Sequence, residues 1–260
     1  MKNKLTLDIL CNPYTHNKLE KISKDKDEFL IDVETGQKFL IQDDVPAFIS
    51  SSDINGANED STKFYNSFAP FYELGQKVYY SFFGGEEKAR NDYLKYLNIK
   101  EGDKVLEVSV GTGANIRFLP RSAQYFGLDI SLGQLKQCSK NSEKYGLNIE
   151  LFWGNAEYLP FRDEAFDVVY HIGGINFFNN KKKAIEEMIR VSKKGTKLLI
   201  ADETEKVAKF YEKIPYFRGP FKNREGTISA PVDLLPENVK DIKVTEIRKG
   251  TLYCLEFIKI

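Results

Sequence analysis

Short apolar runs separated by mixed polar stretches dominate this chain from Phe64 onward. Val105-Leu106-Glu107-Val108 has the near-continuous apolar character of a strand covered on both faces. The same reading gives strands over Tyr125–Ile130, Ile149–Trp153, Ala165–His171 and Lys197–Asp202. Two more follow at Ile242–Ile247 and Leu252–Ile260, joined near Lys249-Gly250. Between them, Glu86–Leu97 and Ala184–Val191 read as helices, and Ser131 is placed to cap a third. Strands alternating with helices predict an α/β fold, a doubly wound sheet closed by an antiparallel pair. Residues 1 to 50 differ. Phe29–Val33 and Lys38–Ile41, with a Thr35-Gly36 turn between them, predict a small β-rich unit. Residues 51 to 63 then have linker composition, and no internal repeat is evident.

Composition narrows the classes. The chain has 260 residues, 42% of them hydrophobic, enough for a sizeable core. Lys plus Arg and Asp plus Glu are both 38, which argues against a protein that wraps nucleic acid. Cys11, Cys138 and Cys254 are too scattered for a disulfide framework. The first residues lack the apolar run of a signal peptide, and nothing approaches the ~18 apolar residues of a membrane span. The default expectation is a soluble cytoplasmic protein.

The chemistry starts at the end of the first apolar strand. Gly111 and Gly113 allow a tight turn close to a ligand, and a helix is expected next, its free N–H groups facing an anion. Asp129 lies 16 residues past Gly113, near the roughly 20-residue offset of a ribose-gripping acid. A dinucleotide fingerprint would have Gly or Ala where Ile116 stands, and usually no acid at Glu107. The run Glu107-Val108-Ser109-Val110-Gly111-Thr112-Gly113-Ala114-Asn115 resembles instead the first motif of the class I S-adenosylmethionine-dependent methyltransferases, with Ser109 and Asn115 at two of its glycine positions. Gly154-Asn155-Ala156-Glu157-Tyr158-Leu159-Pro160-Phe161 resembles that family's adenine-reading motif, Asn155 replacing the usual Asp. An amide oxygen can still accept the adenine N–H. Phe64–Tyr72 resembles the family's lid segment, Tyr65 and Tyr72 matching its aromatic positions. Within that family the domain resembles the ubiquinone/menaquinone-biosynthesis type, and the resemblance covers residues 64 to 260.

The resemblance implies S-adenosyl-L-methionine as cofactor and a binding set of Tyr65, Tyr72, Glu107, Ser109, Gly111, Thr112, Gly113, Asp129, Ile130, Asn155, Ala156, Glu157 and His171. It also implies a small-molecule methyl acceptor, with residues 64 to 85 as lid and 204 to 236 as an insertion walling the acceptor pocket. His171 ends the fourth strand, where it either takes the acceptor's proton or packs the cofactor. Asp202 and Glu203 are the other acids at that edge. The first unit resembles the zinc ribbon that precedes some methyltransferases, through Leu7–Tyr14 and Ile41–Phe48. Asn12, Thr15, Asp32 and Thr35 stand where its four cysteines would be, so no metal is expected. Two other functions fit the same pattern: an rRNA methyltransferase, or a cofactor-binding regulator without catalysis.

Overall fold

The computed structural model describes residues 5–50, 53–56, 58–59, 80, 84–213 and 226–260. The first unit is a four-stranded antiparallel sheet, β1 (Leu19–Lys24), β2 (Asp27–Asp32), β3 (Lys38–Gln42) and β4 (Val45–Pro46), in sequential order. The apolar pattern locates β2 and β3. It misses β1, Leu-Glu-Lys-Ile-Ser-Lys, because only Leu19 of that strand is buried.

The second sheet has seven strands: β5 (Lys104–Val108), β6 (Gln124–Asp129), β7 (Ile149–Trp153), β8 (Val168–Ile172), β9 (Lys197–Glu203), β10 (Val239–Ile247) and β11 (Leu252–Lys259). Their order is β10-β11-β9-β8-β5-β6-β7, with β9 through β7 parallel and β11 antiparallel to both its neighbours. This is the doubly wound sheet with the closing antiparallel pair expected from sequence. The chain winds outward from β5 through β6 and β7, then returns to β8 on the other side. The switch point therefore lies between β5 and β8, at their C-terminal ends, the usual ligand crevice of such sheets.

Helices cover both faces. Helix α1 (Glu86–Leu94) and α2 (Leu132–Tyr145) pack on the face carrying Val105, Tyr125, Tyr170 and Leu199. Helix α3 (Lys181–Val191) packs on the face carrying Leu106, Val108, Phe126 and Ile200. A short α4 (Glu205–Tyr211) follows β9. Ser131 caps α2, its Oγ accepting from Gln134 N at 3.2 Å, and Gly146 ends it at φ +60°. Helix α1 stops three residues before the expected Leu97. β8 begins at Val168 rather than Ala165, and α3 begins a turn earlier than Ala184. The helix expected after the glycine turn is a single 3₁₀ turn, Ile116–Phe118. Pro120 accounts for the early stop, since a proline disfavours helical geometry at the residue before it.

The first unit shares its core with the large sheet. Leu10, Leu30, Phe39 and Phe48 join Phe152, Leu159 and Phe161 in one apolar cluster. Backbone contacts seal the seam: Phe48 N donates to Trp153 O at 2.7 Å, Cys11 N to Pro160 O at 3.0 Å, and Arg162 N to Ile9 O at 2.8 Å. Ala47 also bridges Trp153 in parallel fashion. The unit thus covers β7, an edge strand that would otherwise offer unpaired backbone groups.

Candidate active site

The turn after β5 is held in the shape its sequence requires. Gly111 and Gly113 sit at φ +55° and +72°, and Ser109, at a glycine position of the motif, sits at φ +61°. The left-handed backbone therefore persists at Ser109 although it carries a side chain. A Cβ on Gly113 would meet Cys138 Sγ at 2.6 Å, so that residue must be glycine for space as well as conformation. Val110 N donates to Leu128 O at 3.0 Å, and Asn141 of α2 donates to Thr112 O at 2.9 Å, pinning the turn to two neighbours.

Asp129 ends β6 beside this turn. Its Oδ2 accepts from Gly111 N and its Oδ1 from Ser131 N, both at 2.8 Å. Burial pushes its carboxyl up to about 6, against those backbone donors. A carboxylate has about four acceptor positions, more than these backbone donors fill, so acceptor capacity remains for a hydroxyl such as that of a ribose. Glu107 is more deeply engaged. Its oxygens accept from Asn115 Nδ2 at 2.6 Å and from Tyr170 Oη at 2.8 Å, and burial raises the group to about 7. Asn115 Oδ1 in turn accepts from Arg90 at 2.6 Å and Tyr93 at 2.9 Å. The chain Arg90–Asn115–Glu107–Tyr170 ties α1, the turn, β5 and β8 together. Sequence reasoning missed Arg90, Tyr93 and Tyr170. The available signal was Asn115, an amide where the motif has glycine.

At the end of β7, Asn155 Oδ1 accepts from Glu157 N at 3.0 Å, so the amide oxygen expected to read adenine also closes its own turn. Glu157 Oε1 accepts from Asn180 N at 3.0 Å and from Asn58 at 3.4 Å, joining this loop to α3 and to residue 58 of the linker. Ala156 is buried beside them. Trp153 Nε1 donates to Ile130 O at 2.9 Å, fixing the backbone after Asp129. The turns bearing Glu107–Gly113, Asp129–Ile130 and Asn155–Glu157 thus stand side by side on β5, β6 and β7. Tyr65 and Tyr72, with the rest of the expected lid up to residue 79, lie outside the described residues, as do 214–225 of the expected acceptor insertion.

His171, on β8 next to Val108, is fully buried. Its Nδ1 lies 2.9 Å from Val108 O, and Phe178 packs edge-on with ring centres 5.2 Å apart. Burial lowers its basicity, and the neighbouring Asp202 partly restores it. Burial raises the Asp202 carboxyl, while His171 and N–H donors from Glu203, Gly174 and Asn176 act the other way. Glu203 is pushed up to about 8 by burial and by Asp202.

The site fits an adenosyl sulfonium compound on its own geometry. Gly113 leaves room a Cβ would fill, Thr112 Oγ1 is buried without a hydrogen-bond partner, and Asp129 keeps free acceptor positions. Comparison with known proteins agrees. Residues 106–200 match the methyltransferase domain model. A ubiquinone/menaquinone biosynthesis C-methyltransferase of Wigglesworthia glossinidia brevipalpis is 31% identical over 65% of this chain and 68% of its own length. A phthiotriol/phenolphthiotriol dimycocerosates methyltransferase of Mycobacterium leprae is 38% identical over 39% of this chain, and the match spans only 38% of that relative. In fold, the chain resembles an S-adenosylmethionine-dependent methyltransferase of Thermotoga maritima, described as a possible histamine N-methyltransferase. That likeness has TM-score 0.58 at 21% identity, covering 79% of this chain and 100% of that one. The chain belongs to the class I S-adenosylmethionine-dependent methyltransferases, and S-adenosylmethionine is that family's cofactor. Among the described residues, no helix is long and apolar enough to cross a membrane.

Proposed function

We propose that this chain transfers the methyl group of S-adenosylmethionine to a small-molecule acceptor. The observation that carries the reading is the left-handed turn Ser109–Gly113 set against Asp129, with Thr112 Oγ1 left unpaired beside them. Glu107, Thr112 and Gly113 would hold the methionine end, Asp129 and Ile130 the ribose, and Asn155 to Glu157 the adenine. When bound, the cofactor supplies an electrophilic methyl on a sulfonium whose leaving thioether is neutral. The protein's part is then alignment, exclusion of water and handling of the acceptor's proton. The relatives' names include quinone-ring and lipid acceptors, which supports a small molecule here too.

Calorimetry with S-adenosylmethionine, S-adenosylhomocysteine and NAD tests the reading. Both adenosyl compounds should bind, and NAD should not. Asp129→Ala should weaken adenosyl binding by about 1–3 kcal/mol, the usual effect of losing a charged hydrogen-bond partner. NAD binding with no response to either adenosyl ligand would overturn it.

We further infer that the first unit is a ribbon held together without metal. The four residues at the ribbon's ligand positions, Asn12, Thr15, Asp32 and Thr35, support this by meeting around one carboxylate. Asp32 accepts from Asn12 Nδ2 at 2.6 Å, Thr15 Oγ1 at 2.8 Å, Glu34 N at 2.9 Å, Thr35 N at 3.0 Å and Asn17 Nδ2 at 3.3 Å. Such a hydrogen-bonded knot joins the two turns that a metal would otherwise bridge.

A further inference from the structure

The segment that carries Asn155, Ala156 and Glu157 has no regular structure of its own: residues 154–160 form neither helix nor strand. Its buried polar groups must therefore find partners on neighbouring elements. Helix α3 holds the far end. Glu187 accepts from Leu159 N at 2.8 Å, and Arg190 donates to Leu159 O at 3.0 Å and to Phe161 O at 2.7 Å. The first unit holds both flanks. Phe48 N meets Trp153 O on one side, while Ile9, Leu10 and Cys11 meet Arg162, Phe161 and Pro160 on the other.

The middle of the loop is held through Glu157 and Tyr158. The Tyr158 ring lies 5.4 Å from that of Tyr14, centre to centre, and Lys183 Nζ of α3 lies 3.3 Å from its centre. Tyr14 Oη donates to Asp53 Oδ2 at 2.7 Å, and Ser50 N and Oγ donate to the same oxygen, each at 2.7 Å. The Asp53 carbonyl accepts from Asn58 Nδ2 at 3.4 Å, the same amide that reaches Glu157 Oε1. Asn179, just before α3, closes the linker turn. Its Nδ2 donates to Asn55 O at 3.1 Å, and its Oδ1 accepts from Asn58 N at 3.3 Å. A polar clasp thus runs from Tyr14 through Asp53 and Asn58 to Glu157, and ends on α3. Tyr14 is 38% exposed and stands outside the apolar cluster that joins the two sheets. Holding this loop is therefore separable from holding the fold together.

We propose that Tyr14 and Asn58 are positioning residues for the cofactor's base: the first unit and the linker preform the loop Asn155–Tyr158, and so set how tightly and how selectively adenine is held. The inference rests on the methyltransferase reading above. A loop ordered before binding does not have to be ordered by the ligand, so the affinity keeps what that ordering would have cost. The contribution falls on the base. The Glu107–Gly113 turn and Asp129 are held by other means, from Arg90 of α1, Asn141 of α2 and the turn's own Gly111 N. The first unit then takes part in ligand selection as well as covering β7.

Calorimetry of the full-length protein with S-adenosylhomocysteine and S-inosylhomocysteine, which has an oxygen in place of the adenine amino group, tests this. The wild type should prefer the adenosyl compound. Tyr14→Ala and Asn58→Ala should each weaken S-adenosylhomocysteine binding by ~3–10-fold and S-inosylhomocysteine binding by under about twofold, narrowing that preference. Tyr14→Phe keeps the ring against Tyr158 but not the bond to Asp53, and should lie between the wild type and Tyr14→Ala. Without ligand, amide hydrogen exchange in the variants should quicken at residues 154–158 and stay slow in β5 and β6. Should Asn58→Ala fail to fold, the two Tyr14 variants decide the question. Unchanged adenosyl affinity or unchanged exchange at 154–158 overturns the proposal. So does an equal loss for both ligands, or a wild type indifferent to the amino group. Absence of adenosyl binding by the wild type would defeat the methyltransferase reading itself, and this proposal with it.

Discussion

At the scale of single residues, the turn after β5 shows how a motif survives loss of one of its glycines. Ser109 keeps φ +61°, a conformation that costs an L-residue roughly 1–2 kcal/mol. Ser109→Gly removes that strain but gives the unfolded chain more freedom, an opposing effect of about 0.4–1 kcal/mol. The expected result is a net gain of up to about 1 kcal/mol, a rise in Tm of about 1–3 °C, with adenosyl binding unchanged. A fall in Tm, read by differential scanning calorimetry, would mean the serine hydroxyl contributes more than its backbone strain removes. The placement of Asp129 was legible because spacing along an α/β unit is nearly fixed. The partners of Glu107 were not, since Arg90 and Tyr170 reach it only through folding of distant elements.

At the scale of elements, apolar runs located the parallel strands and β11 because these are mostly buried, whereas the exposed edge strand β10 was found only from Ile242 and begins at Val239. They failed at β1, whose outward charges conceal a single buried leucine, and after Gly113, where Pro120 cuts a helix to one turn. In the first unit, the sequence located the loops that meet at Asp32 but not the hydrogen bonds that join them. Burial alone would raise the Asp32 carboxyl, yet the bonds from Thr35 N, Asn12, Glu34 N and Thr15 hold it well below the usual carboxylate range. A carboxyl depressed in the folded state stabilises above its unfolded pKa, near 3.9, and loses that contribution as pH falls below it. The knot should therefore be at full strength at neutral pH. Asp32→Asn replaces one acceptor oxygen with a donor facing donors, and should cost about 1.5–3 kcal/mol. Urea denaturation measures that cost, and elemental analysis of the purified wild type should find no stoichiometric zinc. One zinc per chain, or an Asp32→Asn variant as stable as the wild type, would defeat the metal-free reading.

At the scale of the whole molecule, the first unit and the large sheet share buried surface. A sheet of about 50 residues has little core of its own, and Phe39 and Phe48, with ring centres 4.9 Å apart, lie in the same cluster as Phe152 and Phe161. The unit and the sheet should therefore unfold together. Trp153 is the only tryptophan, and it sits at the seam. Its carbonyl accepts from Phe48 N, and its indole donates to Ile130 O beside the ribose-side acid. Its fluorescence thus reports on both docking and ligand binding. Thermal unfolding followed by Trp153 fluorescence and by far-ultraviolet circular dichroism should give one coincident transition, raised by S-adenosylhomocysteine. Phe48→Ala should lower that transition by about 3–5 kcal/mol, the usual loss for a buried phenylalanine, without splitting it. Two separate transitions, with the later one unmoved by Phe48→Ala, would show that the first unit is an independent appendage rather than the cover of β7.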